Sequence, residues 1–226
     1  YRKIGGGEMY LRVHDLVTSN EVSRFGQDFS FACGFVNGKE LNMFATRTSE
    51  KEWTKDVYRF RTTDLKTWKK EMVLPRIGKK HILNTSVCKD PKGYLMAYES
   101  DGPTGWETWL ARSTDLSKWD RSNGLRFVGV VFANPTIRHV PPYHYLMFGT
   151  HRTASPITDY EYHLASTRYI TCLMRSKDLI TWELSPTKYP MLDAAVGEGI
   201  NNTDADLFEY QGHAYIYYIT GDQKTW

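Results

Sequence analysis

The sequence predicts an all-β chain built as a five-bladed β-propeller, with three blades whole and two partial. Three observations carry that expectation. A short motif recurs three times, paired β-rich runs joined by turn residues precede each copy, and no long helical periodicity appears anywhere.

The motif is Thr62-Thr63-Asp64-Leu65-Lys66-Thr67-Trp68, then Ser113-Thr114-Asp115-Leu116-Ser117-Lys118-Trp119, then Ser176-Lys177-Asp178-Leu179-Ile180-Thr181-Trp182. Its Asp-Leu-x-x-Trp core is identical in all three. The aspartates stand 51 and 63 residues apart, at 64, 115 and 178. These intervals suit sheet-sized repeats better than most helical solenoids. A short acid at this place can cap backbone N–H groups in a turn, while Leu and Trp pack between sheets. Asp64, Asp115 and Asp178 are therefore assigned to structure.

Each unit reads as strand, hairpin, strand, loop, strand, motif. The second strands are the aromatic, β-rich runs Leu41–Thr46, Tyr94–Glu99, Tyr145–Gly149 and Tyr215–Thr220. First strands precede them at Asp28–Val36, Asn84–Cys88, Asn134–Arg138 and Asp204–Tyr210. The connections, Asn37-Gly38, Pro91-Lys92-Gly93, Pro141-Pro142 and Gln211-Gly212, all read as hairpin turns. Third strands lead into the motif, as in Trp109–Ser113 and Ile170–Ser176. Whole blades are expected at 26–73, 82–125 and 130–187, the end of an earlier blade at 1–25, and the start of another at 200–226. A propeller closes its ring to avoid raw sheet edges, so further chain is expected to complete this one.

Composition narrows the function. The chain has 226 residues, 41% hydrophobic and 14% aromatic, with 15 Tyr and 7 Trp. A sizeable core is within reach, and such rings suit both strands and sugar faces. The net charge of +3 is too mild to argue for nucleic acid or a membrane surface, and no stretch approaches a membrane span. Cys33, Cys88 and Cys172 lack CxxC spacing and read as buried free thiols. The histidines are scattered, with no HExxH or similar spacing, so neither a metal site nor a cofactor is expected.

In a propeller the first strand of each blade lines the axis. Its start lies beside the end of strand two and the following loop. Aligned on strand two, Asp28-Phe29-Ser30-Phe31, Asn84-Thr85-Ser86-Val87, Asn134-Pro135-Thr136-Ile137 and Asp204-Ala205-Asp206-Leu207 become equivalent. Each begins with Asp or Asn. A period of two puts Asn202, Asp204 and Asp206 on one side of their strand. Arg47, Glu99, Asp101, His151 and Arg152 end the second strands. The loop after the third such strand is longest: Tyr145 to Asp178 is 33 residues, against 21 from Tyr94 to Asp115. It is expected to overhang the site, with Trp106 offering a ring to a sugar. Asp204, Asp206, Glu99 and Asp28 are the catalytic candidates, because carboxyls at inner strand starts are costly unless solvated, paired or used. Asn84, Asn134, Arg138, His151, Arg152, Trp106 and Asn202 are the substrate-binding candidates. For Asn84 and Asn134, capping of the strand start is an equally good reading.

The repeated Ser/Thr-x-Asp-Leu-x-x-Trp resembles the blades of family 43 glycoside hydrolases, five-bladed propellers related to families 32, 68, 117 and 130. Sialidase-type Asp boxes are similar but carry a Gly before the final aromatic, which these three copies lack. The resemblance covers nearly the whole chain as a repeat and implies a carbohydrate substrate. It implies a strand-start acid acting as base, another tuning its pKa, and a Glu as general acid. Asp28 and Asp204 match such strand-start acids, whereas Asn134 stands before Pro135 where the family often has Asp-Pro. Glycoside hydrolysis by one protonated and one ionised carboxyl, with inversion, is the expected activity. A phosphorylase using Arg47, Arg138, His151 and Arg152 for phosphate, or a non-catalytic glycan-binding propeller, are the rivals.

Overall fold

The protein was analysed as a computed structural model, which describes residues 9–48, 54–102, 105–121, 133–153, 167–185, 190–193 and 198–221. Side chains are described for these except at 105, 151–153 and 167–168. Every regular element among them is a strand. The chain divides into two compact units, Tyr1–Asp101 with Leu110–Gly124, and Gly102–Trp109 with Leu125–Trp226.

The first unit holds a hairpin of β1 (Leu11–His14) and β2 (Glu21–Phe25). It also holds an antiparallel sheet of β3 (Phe29–Asn37), β4 (Glu40–Arg47), β5 (Val57–Thr62) and β6 (Lys69–Leu74) in that order. A second sheet runs β7 (Ile82–Asp90), β8 (Gly93–Gly102), β9 (Gly105–Ser113), and the division between units falls within its last hairpin. In the second unit β10 (Ala133–Val140), β11 (Tyr143–Thr153) and β12 (Thr167–Ser176) pair in order, with β13 (Glu183–Leu184) on β12. The hairpin of β14 (Asn201–Tyr210) and β15 (His213–Gly221) joins β12 through one parallel bridge, Tyr169 to Asn201.

The expected strand pairs and hairpins are present. Gly38 (φ 62°) opens the two-residue loop between Asn37 and Glu40, where a hairpin turn needs positive φ. Gln211 and Gly212 do the same between Tyr210 and His213. What the sequence pattern lacked is the fourth strand. β6 follows the first motif, β13 follows the third, and an isolated bridge from Arg112 to Asp120 spans the second. Lys69-Lys70-Glu71 opens β6 with three charged residues, mostly exposed, so no apolar alternation announces it.

The three motifs are one piece of chemistry repeated. Asp64 Oδ1 accepts from Lys66 N and Thr67 N at 2.9 and 2.8 Å, and Thr62 Oγ1 accepts from Asp64 N and Leu65 N. Asp115 and Asp178 accept from Ser117 N with Lys118 N, and from Ile180 N with Thr181 N, at 2.8–2.9 Å. The leucine of each motif is left-handed, with φ of 60–65°. Trp119 and Trp182 donate Nε1 to the carbonyls of Leu116 and Leu179, both at 3.1 Å. Trp68 reaches Leu65 through Ser23, whose hydroxyl takes the indole proton and donates to the Leu65 carbonyl.

The motifs also tie sheets of the first unit together. Trp68 stacks on Phe25 of β2, with centroids 3.6 Å apart, and borders the core of Leu11, Phe25, Phe29, Ala45 and Phe60. Trp119 meets Phe44 of β4 edge-on at 5.9 Å. Below it the buried Arg59 guanidinium gathers Asn42, Glu40, Glu71 and Ser117, at 2.6–3.2 Å. The three cysteines are free thiols, two of them buried.

Backbone amides hold the Asp64 and Asp178 carboxyls at about 2, below the ordinary 3.8. Because the folded-state values are depressed, this stabilisation is present above about pH 4 and lost as pH falls through about 2. The Tm advantage of the native protein over Asp64→Ala or Asp178→Ala is expected to shrink across that window. At neutral pH, Asp115→Ala is expected to cost about 0.5–2 kcal/mol in denaturant melts, as loss of a capping side chain does.

Candidate functional site

The starts of β3, β7, β10 and β14 share a backbone device that periodicity does not show. In β3, Ser30 pairs with Thr46 and Cys33 with Phe44, so Phe31 and Ala32 oppose the single residue Ala45. In β7, Asn84 and Thr85 oppose Tyr98 between the pairs Leu83–Glu99 and Ser86–Ala97. In β10, Asn134 and Pro135 oppose Phe148, and in β14, Asp204 and Ala205 oppose Tyr218. Two residues against one is a β-bulge, which bends the strand and re-aims its side chains. The first residue of every bulge is left-handed: φ is 56° at Phe31, 48° at Asn84, 52° at Asn134 and 54° at Asp204. Asn and Asp tolerate that region better than other residues with a side chain beyond Cβ.

The register corrects two expectations. Position for position it is Phe31, not Asp28, that matches Asn84, Asn134 and Asp204. Asp28 lies three residues earlier, exposed, its carbonyl accepting from Thr48 N and Oγ1. Asp206, in turn, does not share a side with Asp204. Its partner Tyr217 lies two residues from Ile219, the partner of Thr203, so the extra residue puts Asp206 on the side of Thr203. There it accepts from Arg138 Nη2, while Arg138 Nε donates to the Leu207 carbonyl at 2.9 Å. Arg138 thereby ties β10 to β14.

In the first unit, the Asn84 amide donates to Glu99 Oε2 at 2.7 Å. Glu99 is 2% exposed, one of the least accessible carboxylates among the described residues. Asp101, two residues on, accepts from the His81 backbone N–H at 2.6 Å and sits 2.9 Å from His81 Nδ1. Ser100 Oγ donates to the His81 carbonyl at 2.8 Å. The start of β7 and the end of β8 thus hold an amide–carboxylate pair and a half-exposed His–Asp pair on one sheet.

In the second unit, Asp204 is half-buried. Burial pushes its carboxyl above the ordinary 3.8, opposed by the Thr203 hydroxyl at 3.0 Å from Oδ2. The three residues before it, Asn201, Asn202 and Thr203, are at most 3% exposed. Thr203 Oγ1 donates to Asn201 Oδ1 at 2.9 Å, and the Thr171 hydroxyl donates to the Asn202 carbonyl at 2.9 Å. Gly149 admits this strand: a Cβ there would lie 3.0 Å from Thr203 Cγ2. Tyr218, opposite the bulge, donates to Glu198 Oε1 at 2.8 Å. Asn134 and Trp106 are half-buried. His151 and Arg152 lie in β11, paired with Tyr169 and Arg168, but their side chains fall outside the described residues.

Sequence reasoning missed Glu107. It is 1% exposed, and neither carboxyl oxygen has a hydrogen-bond partner among the described residues. Its carboxyl lies over Gly102, where any Cβ would overlap it. The available signal was the run Trp106-Glu107-Thr108-Trp109, a lone acid among rings and a β-branched residue in a β-rich strand. No group of three or more His, Cys, Asp or Glu among the described residues is placed to hold a metal ion.

No protein-family model matches the chain, and no curated protein matches it in sequence. Solved structures do match in shape. An α-L-arabinanase of Cellvibrio cellulosa superposes with a TM-score of 0.61 at 12% identity, over 87% of this chain and 70% of that one. A family-32 β-fructofuranosidase of Bombyx mori gives 0.58 at 15% identity, over 86% of this chain and 42% of its own. A thermostable family-43 glycoside hydrolase gives 0.61 at 14%, over 86% and 64%. The likeness shows the fold: this chain folds as the propeller glycoside hydrolases of families 43 and 32 do.

An unpartnered buried carboxyl weakens a fold. Replacing it by an apolar side chain of similar size, Glu107→Met, is expected to raise stability by about 1–3 kcal/mol in denaturant melts. A loss of similar size would show that the carboxyl holds the hairpin of β8 and β9 together.

Proposed function

We propose that this protein is a glycoside hydrolase that cleaves glycosidic bonds of an oligo- or polysaccharide, with Asp204 as a working carboxyl. The observation that carries this reading is the environment of Asp204. It stands at the bulge of β14, and burial raises its pKa. Glycoside hydrolysis needs one carboxyl that is protonated when the leaving oxygen departs and a second that is ionised. A raised value prepares Asp204 for the first role. Glu99, hydrogen-bonded by Asn84, is a separate carboxyl candidate within the first unit, and inversion with water as nucleophile is the proposed course. The shared fold supports the reaction class. The neighbours' substrates suggest where to look first: arabino-oligosaccharides, xylo-oligosaccharides and sucrose. The phosphorylase reading loses weight because Arg138 is occupied by Asp206 and the Leu207 carbonyl.

The test is turnover of these sugars, with and without phosphate, by the native protein and by Asp204→Asn and Glu99→Gln. Each amide keeps the shape and removes the titrating group, so turnover is expected to fall about 10²–10⁴-fold in each. Asp204→Asn carries a second signature. A raised folded-state pKa means that the native protein loses stability as pH rises above the unfolded-state value near 3.8. The variant is therefore expected to melt higher than the native protein at neutral pH, and the gain should vanish below about pH 4. Sugar binding without turnover would indicate a glycan-binding propeller, and turnover only with phosphate a phosphorylase.

A further inference from the structure

In a regular strand, neighbours such as Thr203 and Asp204 point to opposite faces of the sheet. In β14 they meet. The inserted residue and the left-handed backbone of Asp204 (φ 54°) bring its Oδ2 to 3.0 Å from Thr203 Oγ1. The same hydroxyl lies 2.9 Å from Asn201 Oδ1, two residues back on its own side of the strand. Both partners of that bond are held in place. A β-branched side chain is stiff at χ1, and the Thr203 methyl packs at Gly149 of β11, where a Cβ would approach to 3.0 Å. Asn201 is bridged to Tyr169 of β12, whose N–H donates to the Ile200 carbonyl at 2.8 Å. Asn201 and Thr203 are at most 3% exposed, so bulk water is kept from the pair.

A hydroxyl has one proton to give, and an amide oxygen and an ionised carboxylate can only accept. Asn201 and an ionised Asp204 therefore compete for the Thr203 proton. With Asp204 protonated there is no contest. Its O–H donates to Thr203 Oγ1, Thr203 donates to Asn201 Oδ1, and every oxygen of the chain takes part. When the Asp204 proton leaves for a glycosidic oxygen, Thr203 either turns to the new carboxylate and deserts Asn201, or stays and leaves the carboxylate without it. Each choice takes a donor from a buried acceptor, which is costly. The other titratable groups described around this strand are bonded in pairs of their own, Asp206 with Arg138 of β10 and Tyr218 of β15 with Glu198, and Tyr169 stands opposite Asn201 on β12.

We infer that Asn201 is a positioning residue for Asp204: it holds the Thr203 hydroxyl proton and so keeps the Asp204 carboxyl in the acid form that the proposed chemistry uses. This rests on the glycoside-hydrolase reading and adds the device that would retain the acid's proton until the leaving oxygen takes it.

The 13Cγ resonances of Asn201 and Asp204, followed through a pH titration of the full chain, test it without substrate. In the native protein the Asn201 resonance is expected to move with the Asp204 midpoint, and in Thr203→Val to stay still. Asn201→Leu frees the Thr203 proton for the carboxylate, so Asp204 is expected to titrate about one unit lower there than in the native protein. In a Thr203→Val background, adding Asn201→Leu is expected to leave the Asp204 midpoint where it was. An Asn201 resonance that ignores the Asp204 midpoint, or that moves as much in Thr203→Val, would overturn the inference, and this arm stands even where Asn201→Leu fails to fold. An Asp204 midpoint unchanged or raised in Asn201→Leu would overturn it as well, a rise showing that the amide feeds the carboxylate. Turnover of the arabino-oligosaccharides, xylo-oligosaccharides or sucrose is the separate arm. The alkaline limb of kcat is expected to move down with the Asp204 midpoint in Asn201→Leu. A limb that stays while the midpoint falls, or no turnover by the native protein, removes Asp204 as the acid of the hydrolase reading, and the titration still decides Asn201.

Discussion

The left-handed residue near the start of β3, β7, β10 and β14 is the constraint on which the candidate site depends. Each of these strands stays paired along its length and yet turns its first side chains away from the regular alternation. A bulge does both by inserting one residue and absorbing it in a positive φ. The chain then has little choice of residue. Glycine would fit but carry no chemistry, and Asn and Asp fit while presenting an amide or a carboxyl. Three of the four bulges use them. The same backbone demand thus places Asn84 against Glu99 and Asp204 in its half-buried setting, with no separate device needed for either.

Such positions hold only if the sheets are fixed, and in the first unit the Asp-Leu-x-x-Trp turns help to do that. Each turn satisfies four backbone N–H groups with one carboxylate and one hydroxyl, holds its leucine left-handed, and presents an indole to neighbouring structure. In the first unit that indole reaches the preceding sheet twice, Trp68 on Phe25 and Trp119 on Phe44. The carboxylates of these turns are held ionised by backbone amides, and Asp204 is pushed toward its neutral form by burial. Acids of one residue type are thereby sorted by their surroundings alone into those held ionised and one pushed toward its neutral form.

Much of this was legible in the sequence. The three motifs, the hairpin turns and the paired β-rich runs gave the strand order, because each rests on local rules of turn chemistry and alternation. The structural assignment of Asp64, Asp115 and Asp178 came from the same rules. The bulges were not legible, since one inserted residue leaves no trace in a pattern of period two. That omission put Asp206 beside Asp204, when it is in fact the partner of Arg138, whereas Asp28 was aligned by residue type although it stands 13 residues before Leu41 and Phe31 stands 10, as Asn84 does before Tyr94. β6 was missed because its charged residues face outward. Glu107 was missed because a charged residue in a strand reads as solvated, and here it is buried over a glycine.

The central claim is that the bulge of β14 holds Asp204 as a carboxyl that ionises late. It can be measured without any substrate. The 13Cγ resonance of Asp204, identified by its loss in Asp204→Asn, can be followed through a pH titration of the folded protein. The account predicts a midpoint above 3.8, with Asp64 and Asp178 titrating near 2 in the same experiment. An Asp204 midpoint at or below 3.8 would contradict it and would remove the proton that the proposed chemistry requires.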